Sequence, residues 1–233
     1  MQTLIIIPTY NEIDNLQRVS VGIMAVLPQT DILVIDDNSP DGTGELAESL
    51  SRKHPRIKVI HRMKKSGLGS AYTFGFQYAL KHNYDFVFEM DADLSHNPEY
   101  LPKFLAETYK YHLITGSRYI KGGGITEWGK WRRLLSYCAN LYARIILGLG
   151  YRDLTTGFKC YSRRALEELR LASLISEGYV FQIETTYRLH HRGLAIKEIP
   201  IVFAGRRRGQ SKISRGICLE AIWKVPLLRF VRI

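Results

Sequence analysis

Cysteine is scarce in this chain, which has three in 233 residues. Cys138, Cys160 and Cys218 are far apart, odd in number and never arranged as C-x-x-C. This usage argues against a disulfide framework and against a zinc site, and it favours a reducing, cytosolic setting.

Long uncharged apolar runs are also missing. The two most apolar stretches, residues 134–149 and the C-terminal end, are interrupted by Arg144 and by Lys224 and Arg229. Neither approaches the roughly 20 apolar residues that a membrane span needs. No basic segment or cleavage site precedes the apolar run from Leu4 to Ile7, so no signal peptide is predicted. We therefore expect a protein that does not cross a membrane by itself.

Three familiar ligand motifs are absent as well. The Gly67-Leu68-Gly69 stretch lacks the third small residue of a dinucleotide fingerprint, because Tyr72 fills that position, and no G-K-[ST] follows it. His61, His96 and the His190-His191 pair lack the i, i+4 spacing of metal ligands. Neither an NAD site nor a Walker-type ATP site is predicted, and we interpret the histidines as structural or surface residues.

Positive charge is what the sequence has in excess. Lys and Arg number 33 against 22 Asp and Glu, a formal net charge of +11. This balance predicts an anionic partner, which leaves nucleic acid, a phosphorylated substrate and a membrane surface open. The length and the 45% hydrophobic content fit one catalytic domain.

The first 90 residues alternate between strand and helix patterns. Apolar strands are predicted at residues 4–8, 31–35, 57–61 and 84–90, with helical segments between them. The alternation predicts an α/β fold with a mostly parallel, Rossmann-like sheet and helices on both faces. Ligands of such sheets bind at the carboxyl ends of the strands. The loops that follow these strands contain Thr9 to Glu12, Asp36-Asp37, Gly67-Leu68-Gly69 and Asp91-Ala92-Asp93.

The second half of the chain alternates less regularly. The patterns predict a helix at 98–109, strands at 113–117, 156–161 and 196–203, a long loop at 118–133, and helices at 134–149 and 181–191. A basic stretch at 206–212 precedes C-terminal amphipathic helices. We divide the chain into a catalytic domain, residues 1–213, and an amphipathic membrane-surface segment, residues 214–233.

Asp91 and Asp93 follow a buried strand, where the backbone turns out to solvent. Two carboxylates this close repel each other unless a cation lies between them, and oxygen ligands suit Mg²⁺ or Mn²⁺ shared with substrate phosphates. The pair predicts a metal-bound diphosphate. The alternative is a solvated turn.

Six ordered motifs carry a resemblance to a known family. They are Pro8-Thr9-Tyr10-Asn11-Glu12, the Asp36 to Thr43 turn, Gly67-Leu68-Gly69, Asp91-Ala92-Asp93, Gly116-Ser117-Arg118-Tyr119 and Arg206-x-x-Gly209-x-Ser211-Lys212. From about residue 3 to 225 the chain resembles family 2 glycosyltransferases with the A-type fold, and within them the polyprenol-phosphate (dolichol-phosphate) mannosyltransferases. Residues 91–98 and 153–158 resemble the mannosyl branch in particular.

The resemblance implies a set of site residues. The nucleotide-sugar contacts would be Pro8, Tyr10, Glu12, Asp37, Gly67, Gly69, Asp91, Ala92, Asp93, Arg206 and Lys212. Asp91, Asp93 and Arg118 would be catalytic, with Asp91, Asp93 and Ser95 as metal ligands. Many relatives have Gln where this chain has Ser95. Arg118, Arg132, Arg133 and Ser136 would bind the acceptor phosphate, since guanidinium groups and a hydroxyl suit a phosphate monoester. Gln182 and Glu184 lie on a helix where related transferases often place a base, and we do not assign them that role.

The implied reaction is transfer of mannose from GDP-mannose to a polyprenyl phosphate, with Mg²⁺ or Mn²⁺ as cofactor and inversion at the sugar carbon. An acceptor phosphate has a second pKa near ~6, so it is already a nucleophilic anion at neutral pH. One alternative is transfer of glucose or another hexose from a UDP-sugar to the same lipid. An alternative from another class is a non-catalytic basic protein that binds nucleic acid or membrane. Aspartates at the strand ends would repel a polyanion, and we expect no nucleic-acid partner.

A lipid acceptor also implies a location. We expect the protein to lie on the cytoplasmic face of a membrane as a peripheral protein, with small membrane helper subunits as possible partners. The apolar residues of 134–149 and of the C-terminal segment, with basic residues around them, suit an interfacial position. The alternative for the 134–149 helix is that its apolar stripe packs against the catalytic domain.

Overall fold

The computed structural model of the protein describes residues 1–174, 176–205 and 222–230. The strands are β1 (Thr3–Thr9), β2 (Asp31–Asp36), β3 (Ile57–His61), β4 (Phe86–Glu89), β5 (Leu113–Ser117), β6 (Gly124–Ile125), β7 (Lys159–Ser162), β8 (Ile196–Pro200) and β9 (Val202–Phe203). The α-helices are α1 (Ile13–Val26), α2 (Thr43–Lys53), α3 (Leu68–Lys81), α4 (Leu101–Leu105), α5 (Lys130–Leu147), α6 (Arg163–Glu168) and α7 (Gly178–His191).

Seven strands form one sheet in the order β3-β2-β1-β4-β7-β5-β8, and β6 pairs with β9 separately. All neighbours in the large sheet are parallel except β7, which is antiparallel to both β4 and β5. The predicted mostly parallel sheet is confirmed. The reversed direction of β7 was not predicted, because an apolar pattern carries no information on strand direction.

Strand β1 shows how the core is divided between the two faces of the sheet. Leu4 and Ile6 pack on one face with α3, α6 and α7, while Ile5 and Ile7 pack on the other face with α1, α2 and α4. All four side chains are fully buried. A strand that is apolar at every position is typical of a sheet covered on both faces. The predicted helices on both faces are confirmed.

Three elements of the second half differ from the sequence pattern. The predicted helix at 98–109 is a 3₁₀ turn at Pro98–Tyr100 followed by the short α4. Helix α5 begins at Lys130, inside the predicted loop. The predicted strand at 196–203 divides at Ile201, whose N–H bonds to Ser117 of β5 while its carbonyl accepts from Gly124 near β9. The chain thus leaves the large sheet at Ile201 to build the β6–β9 pair.

A third apolar cluster joins α5, α7 and the C-terminal segment. Residues 222–227 are helical and a 3₁₀ turn follows at Leu228–Phe230. Val225 and Leu228 are buried against Ala143 and Leu147 of α5. One face of the C-terminal segment therefore packs on the catalytic domain. No helix among the described residues is long and apolar enough to cross a membrane.

Candidate active site

A cavity of about 420 Å³ opens at the carboxyl ends of β1, β2 and β4. The parallel register brings these ends together, since Thr9 pairs with Asp36 and Ile6 with Glu89. The cavity wall contains nine predicted site residues: Pro8, Tyr10, Glu12, Asp37, Gly67, Asp91, Ala92, Asp93 and Arg132. It also contains residues that were not predicted, among them Lys65, Thr155, Gly157, Glu177, Tyr179 and Gln182.

One end of the cavity is built from the loops after β1 and β2. Asp37 is nearly buried and pairs with Arg62, whose Nε lies 2.8 Å from Oδ1. Burial raises the pKa of Asp37, with the Arg62 charge opposing it. The Lys65 ammonium lies 4.1 Å from the centre of the Tyr10 ring. This end therefore offers an aromatic ring and a carboxylate whose position is fixed, which suits a nucleoside.

The glycine loop is approached by one of the protein's own carboxylates. Glu177 accepts hydrogen bonds from the backbone N–H groups of Gly69 and Ser70, at 2.9 and 3.3 Å, at the start of α3. A Cβ at Gly67 would lie 2.4 Å from Glu177 Oε2, and Gly67 has a positive φ of 94°. Only glycine fits here. In this structure the group that approaches the loop is Glu177, and the nucleotide contacts of Gly67 and Gly69 stay a prediction.

Asp91 and Asp93 are held in different ways on the loop after β4. The Asp91 N–H donates to His96 Nδ1 at 3.1 Å, and burial lowers the pKa of His96 to about 4, which keeps the ring neutral. Asp93 is buried, and its Oδ1 accepts from the Ser95 N–H at 3.1 Å and from the Ser95 hydroxyl at 2.5 Å. Ser95 thus orients Asp93, and it does not line the cavity. The structure favours this orienting role over the metal ligand expected from the sequence.

The donor set fits a divalent ion that is shared with a substrate. No group of three or more His, Cys, Asp or Glu side chains that could hold a metal occurs in the described part of the chain. Asp91 and Asp93 both face the cavity. Mg²⁺ typically binds one or two carboxylates together with substrate phosphates and water. The pair is therefore suited to an ion that arrives with a diphosphate.

A buried polar network lies next to the loop that carries Asp91 and Asp93. Glu89 of β4 and Lys159 of β7 are cross-strand partners with no exposed surface. Burial raises the pKa of Glu89 to about 7 and lowers that of Lys159 to about 8. Lys159 Nζ donates to the Gln182 carbonyl at 2.6 Å, and Tyr161 donates to Glu89. The network fixes α7 relative to the strand that precedes Asp91.

Arg118 lies beside this region in a buried ion pair with Asp153. Its Nε and Nη2 donate to the two carboxylate oxygens, each at 2.7 Å, and Nη2 also donates to Thr155. Burial works to lower the pKa of Arg118, but the Asp153 charge outweighs it and the pKa is raised. The bidentate edge of the guanidinium is occupied, and Arg118 does not line the cavity. Direct acceptor contact by Arg118 stays a prediction, and the geometry favours a positioning role.

The other predicted acceptor residues lie on the first turns of α5. Arg132 reaches the cavity wall, and its guanidinium stacks on Trp128 at 4.0 Å from the ring centre. Ser136, one turn further on, is partly buried, whereas Arg133 is exposed on another side of the helix. The structure therefore separates Arg132 from Arg133. Arg206 and Lys212 lie outside the described residues.

Related transferases often place a catalytic base on the helix that corresponds to α7. In this chain the α7 carboxylate, Glu184, is buried in an ion pair. Glu184 is fully buried and pairs with Arg188 at 2.6 Å. It also accepts the N–H of Ser176. Glu184 does not line the cavity, whereas Gln182, Tyr179 and Val180 of the same helix do. No base role for Glu184 was predicted, and its burial agrees with that.

A strand-end cavity with an aspartate pair after β4, in a parallel sheet with one reversed strand, is the architecture of the A-type glycosyltransferases. The family model described as "Glycosyl transferase family 2" matches residues 4–170. The chain belongs to this family and is a glycosyltransferase.

Two curated relatives are similar over almost the whole chain. The undecaprenyl-phosphate mannosyltransferase of Micrococcus luteus is 43% identical over 97% of this chain and 93% of its own length. The polyprenol monophosphomannose synthase of Mycolicibacterium smegmatis is 46% identical over 96% of this chain and 85% of its own length.

Two solved structures share the fold at low identity. Glucosyl-3-phosphoglycerate synthase of Mycobacterium tuberculosis, solved with Mn²⁺, UDP and its product, has a TM-score of 0.68 at 18% identity, over 98% of this chain and 78% of that one. A mannosyltransferase of Pyrobaculum calidifontis, solved with GDP-mannose and Mn²⁺, has a TM-score of 0.57 at 17% identity, over 89% and 58%. The predicted A-type fold is confirmed.

We predict that Asp153→Asn lowers the free energy of unfolding by about 3 kcal/mol or more, because it leaves the buried Arg118 charge uncompensated. Urea unfolding followed by circular dichroism measures the change. The control is Glu167→Gln, which removes a charge from the exposed Arg163–Glu167 pair and should change stability by less than about 0.5 kcal/mol. Equal, small changes in both variants would contradict the importance of the buried pair.

Proposed function

We propose that this glycosyltransferase transfers mannose from GDP-mannose to a polyprenyl phosphate in a reaction that depends on Mg²⁺ or Mn²⁺ and inverts the anomeric carbon. The observation that carries the proposal is the cavity itself. Tyr10, Asp37 and Arg132 line the same cavity as the aspartate pair. The high identity to two polyprenyl-phosphate mannosyltransferases supports mannose as the transferred sugar and a polyprenyl phosphate as the acceptor.

The chain's own residues orient the donor. Tyr10 and Asp37 suit the base and ribose, while Asp91 and Asp93 would hold the ion against the diphosphate. When bound, the ion neutralises charge on the departing diphosphate. Ser95 and His96 keep the two aspartates in place through the hydrogen bonds described above. Positioning and charge compensation would then supply most of the catalysis.

The acceptor side supports a nucleophile that arrives already ionised. Gln182 lines the cavity from α7, and its side chain is an amide, which is not a useful proton acceptor. An acceptor phosphate needs no base, since its second pKa is near ~6. Its oxygen attacks the anomeric carbon, the bond from that carbon to the diphosphate oxygen breaks, and GDP leaves with the electron pair. Arg132 would hold the phosphate during this displacement.

The proposed lipid acceptor also requires contact with a membrane surface, and α5 with the C-terminal segment offers one. Helix α5 buries only Asn140, Ala143 and Leu147. Most of its other apolar residues are exposed, and so are several on the C-terminal segment. Tyr142 of α5 is partly buried and joins the two through a 2.8 Å hydrogen bond to the Ile222 carbonyl. The exposed apolar residues are Trp131, Leu134, Leu135, Tyr137, Leu141, Ile145, Ile222, Trp223, Leu227 and Phe230. We name this set the apolar face. With Lys130, Arg133, Lys224 and Arg229 nearby, it suits the cytoplasmic surface of an anionic bilayer.

The direct test is transfer of radiolabelled sugar from several nucleotide sugars into a lipid-extractable product. Product from GDP-mannose and polyprenyl phosphate supports the proposal. If product forms only from UDP-glucose or another UDP-hexose, the proposed donor is wrong and the proposed acceptor is kept. Thermal-shift measurements with GDP and UDP in the presence of Mn²⁺ test the same choice independently.

We predict that Asp91→Asn and Asp93→Asn each lower turnover at least about 100-fold at saturating Mn²⁺ while the protein stays folded, because charge compensation at the diphosphate is lost. The control is Asp85→Asn, since Asp85 precedes β4 at the opposite edge of the sheet and is half exposed. Near-normal turnover of either cavity variant would remove the proposed metal site.

A second prediction separates two adjacent arginines. Arg132→Lys should raise the KM for polyprenyl phosphate about 10-fold and leave GDP affinity within about twofold, because Lys cannot provide a planar fork. Arg133→Lys is the matched control on the exposed side of the same helix turn and should change neither. If GDP affinity falls in Arg132→Lys and acceptor kinetics do not, the two ends of the cavity are assigned the wrong way round.

A third prediction concerns the apolar face. Flotation with vesicles that contain anionic phospholipid should recover the wild-type protein at low salt, and Trp131→Ser/Trp223→Ser should weaken this binding several-fold, since each removes an exposed indole. Both tryptophans are 76% exposed, so Tyr109→Ser, at a tyrosine that is 75% exposed outside the face, is the matched control. Equal loss in the control, or wild-type protein that stays unbound, would contradict surface binding through these helices.

A further inference from the structure

Gln182 is a buried polar side chain whose amide makes no hydrogen bond of good geometry among the described residues. It is 2% exposed, and neither Nε2 nor Oε1 makes such a bond. Buried amides normally make hydrogen bonds, because burial without them costs free energy. The amide acts on the Glu89 carboxyl as a hydrogen-bond donor of poor geometry, and this contact lowers the pKa of Glu89 against the larger effect of burial.

The backbone at Gln182 is held firmly while its side chain is not. The Gln182 carbonyl accepts from Lys159 Nζ at 2.6 Å, from Thr185 Oγ1 at 3.2 Å and from Thr186 Oγ1 at 3.1 Å. The first donor is the fully buried ammonium of β7. The backbone of Gln182 is therefore fixed, and its side chain extends from there to the cavity wall.

Gly157 shows what lies next to this amide. A methyl group built at Gly157 would lie 3.6 Å from Gln182 Nε2, 3.8 Å from His96 Cε1 and 3.9 Å from Asp91 Oδ1. The open space over Gly157 is thus bounded by the amide and by the first aspartate of the pair. Thr155 and Arg132, which we assign to the acceptor side, line the same cavity.

We infer that the Gln182 amide, with the open space over Gly157, binds a hydroxyl group of the sugar that is transferred. The inference rests on the proposed function, which places a diphosphate at Asp91 and an acceptor phosphate at Arg132. The transferred sugar would lie between these two groups, next to Gln182. An amide offers both a donor and an acceptor, which matches a hydroxyl. A phosphate offers acceptors alone and would be repelled by the Asp91 carboxylate, which lines the cavity. Gln182 is then a specificity residue for the sugar.

The first experiment compares a nucleotide sugar with its own nucleotide. Gln182→Leu keeps the volume and removes both polar atoms. It should lower kcat/KM for sugar transfer about 10- to 100-fold, while GDP affinity with Mn²⁺, from calorimetry, stays within about twofold. Loss of GDP affinity to the same extent, or no loss of transfer, would overturn the inference.

Gly157→Ala gives a second variant that does not depend on the Leu variant folding. The added methyl makes only ordinary contacts, so the fold should be kept, but it occupies the space assigned to the sugar. Transfer should fall about 10-fold or more with GDP affinity unchanged. Gly150→Ala, where a methyl meets nothing within 4 Å, is the matched control and should behave as wild type. Normal transfer by Gly157→Ala would overturn the inference.

Deoxy-sugar nucleotides then identify the hydroxyl. The donor that lacks the bound hydroxyl should be a poor substrate for the wild type, and Gln182→Leu should lower its kcat/KM little further. For every other deoxy donor, the loss from the missing hydroxyl and the loss from Gln182→Leu should multiply. If the two losses multiply for every deoxy donor, Gln182 does not contact any of these hydroxyl groups directly, and the inference is overturned. Each comparison works with whichever nucleotide sugar the wild type uses. Absence of transfer to polyprenyl phosphate would therefore count against the proposed function alone.

Discussion

A buried guanidinium must keep a counter-charge beside it, and this constraint organises the part of the molecule around β5, β7 and α5. Arg118 at the end of β5 is paired through two bonds with Asp153, which precedes β7. Asn140 of α5 accepts from the N–H of Leu154 and donates to Thr155, so the helix is tied to the same turn. Breaking the pair would release a strand end, a turn and α5 together. The distance between the aspartates and Arg132 therefore depends on it.

Much of the N-terminal part, from β1 to the loop after β4, could be predicted from the sequence. Each of the first four strands is short and apolar, and each leads into a polar loop, so the parallel order and the shared carboxyl edge follow from pattern alone. Asp91 and Asp93 were predicted at the cavity because they come directly after such a strand. Tyr10 and Asp37 were predicted in the same way, and all four line the cavity.

The features that could not be predicted all depend on contacts between distant parts of the chain. Glu177 reaches the start of α3 from a loop more than 100 residues away, with a sequence separation of 108 to Gly69. Arg118 appears in the sequence as a free cation, and only the fold reveals Asp153 beside it. Gln182 lies on α7, whose sequence shows no amphipathic periodicity, because the helix is buried on nearly every side. Burial on all sides removes the amphipathic pattern by which a cavity-facing residue could be found.

The reversed strand β7 has a consequence for how the chain folds during synthesis. Strands β1 to β4 pair with one another within the first 89 residues, whereas β5 and β8 join that block only through β7, at residues 159–162. The free edge of β4, which carries the backbone leading to Asp91, must wait about 70 further residues for its partner, some seconds at ordinary translation rates of 5–20 residues per second. An unpaired edge is a template for pairing with another chain. The nascent N-terminal block is therefore the stage at which this protein is most exposed to aggregation and to capture by chaperones.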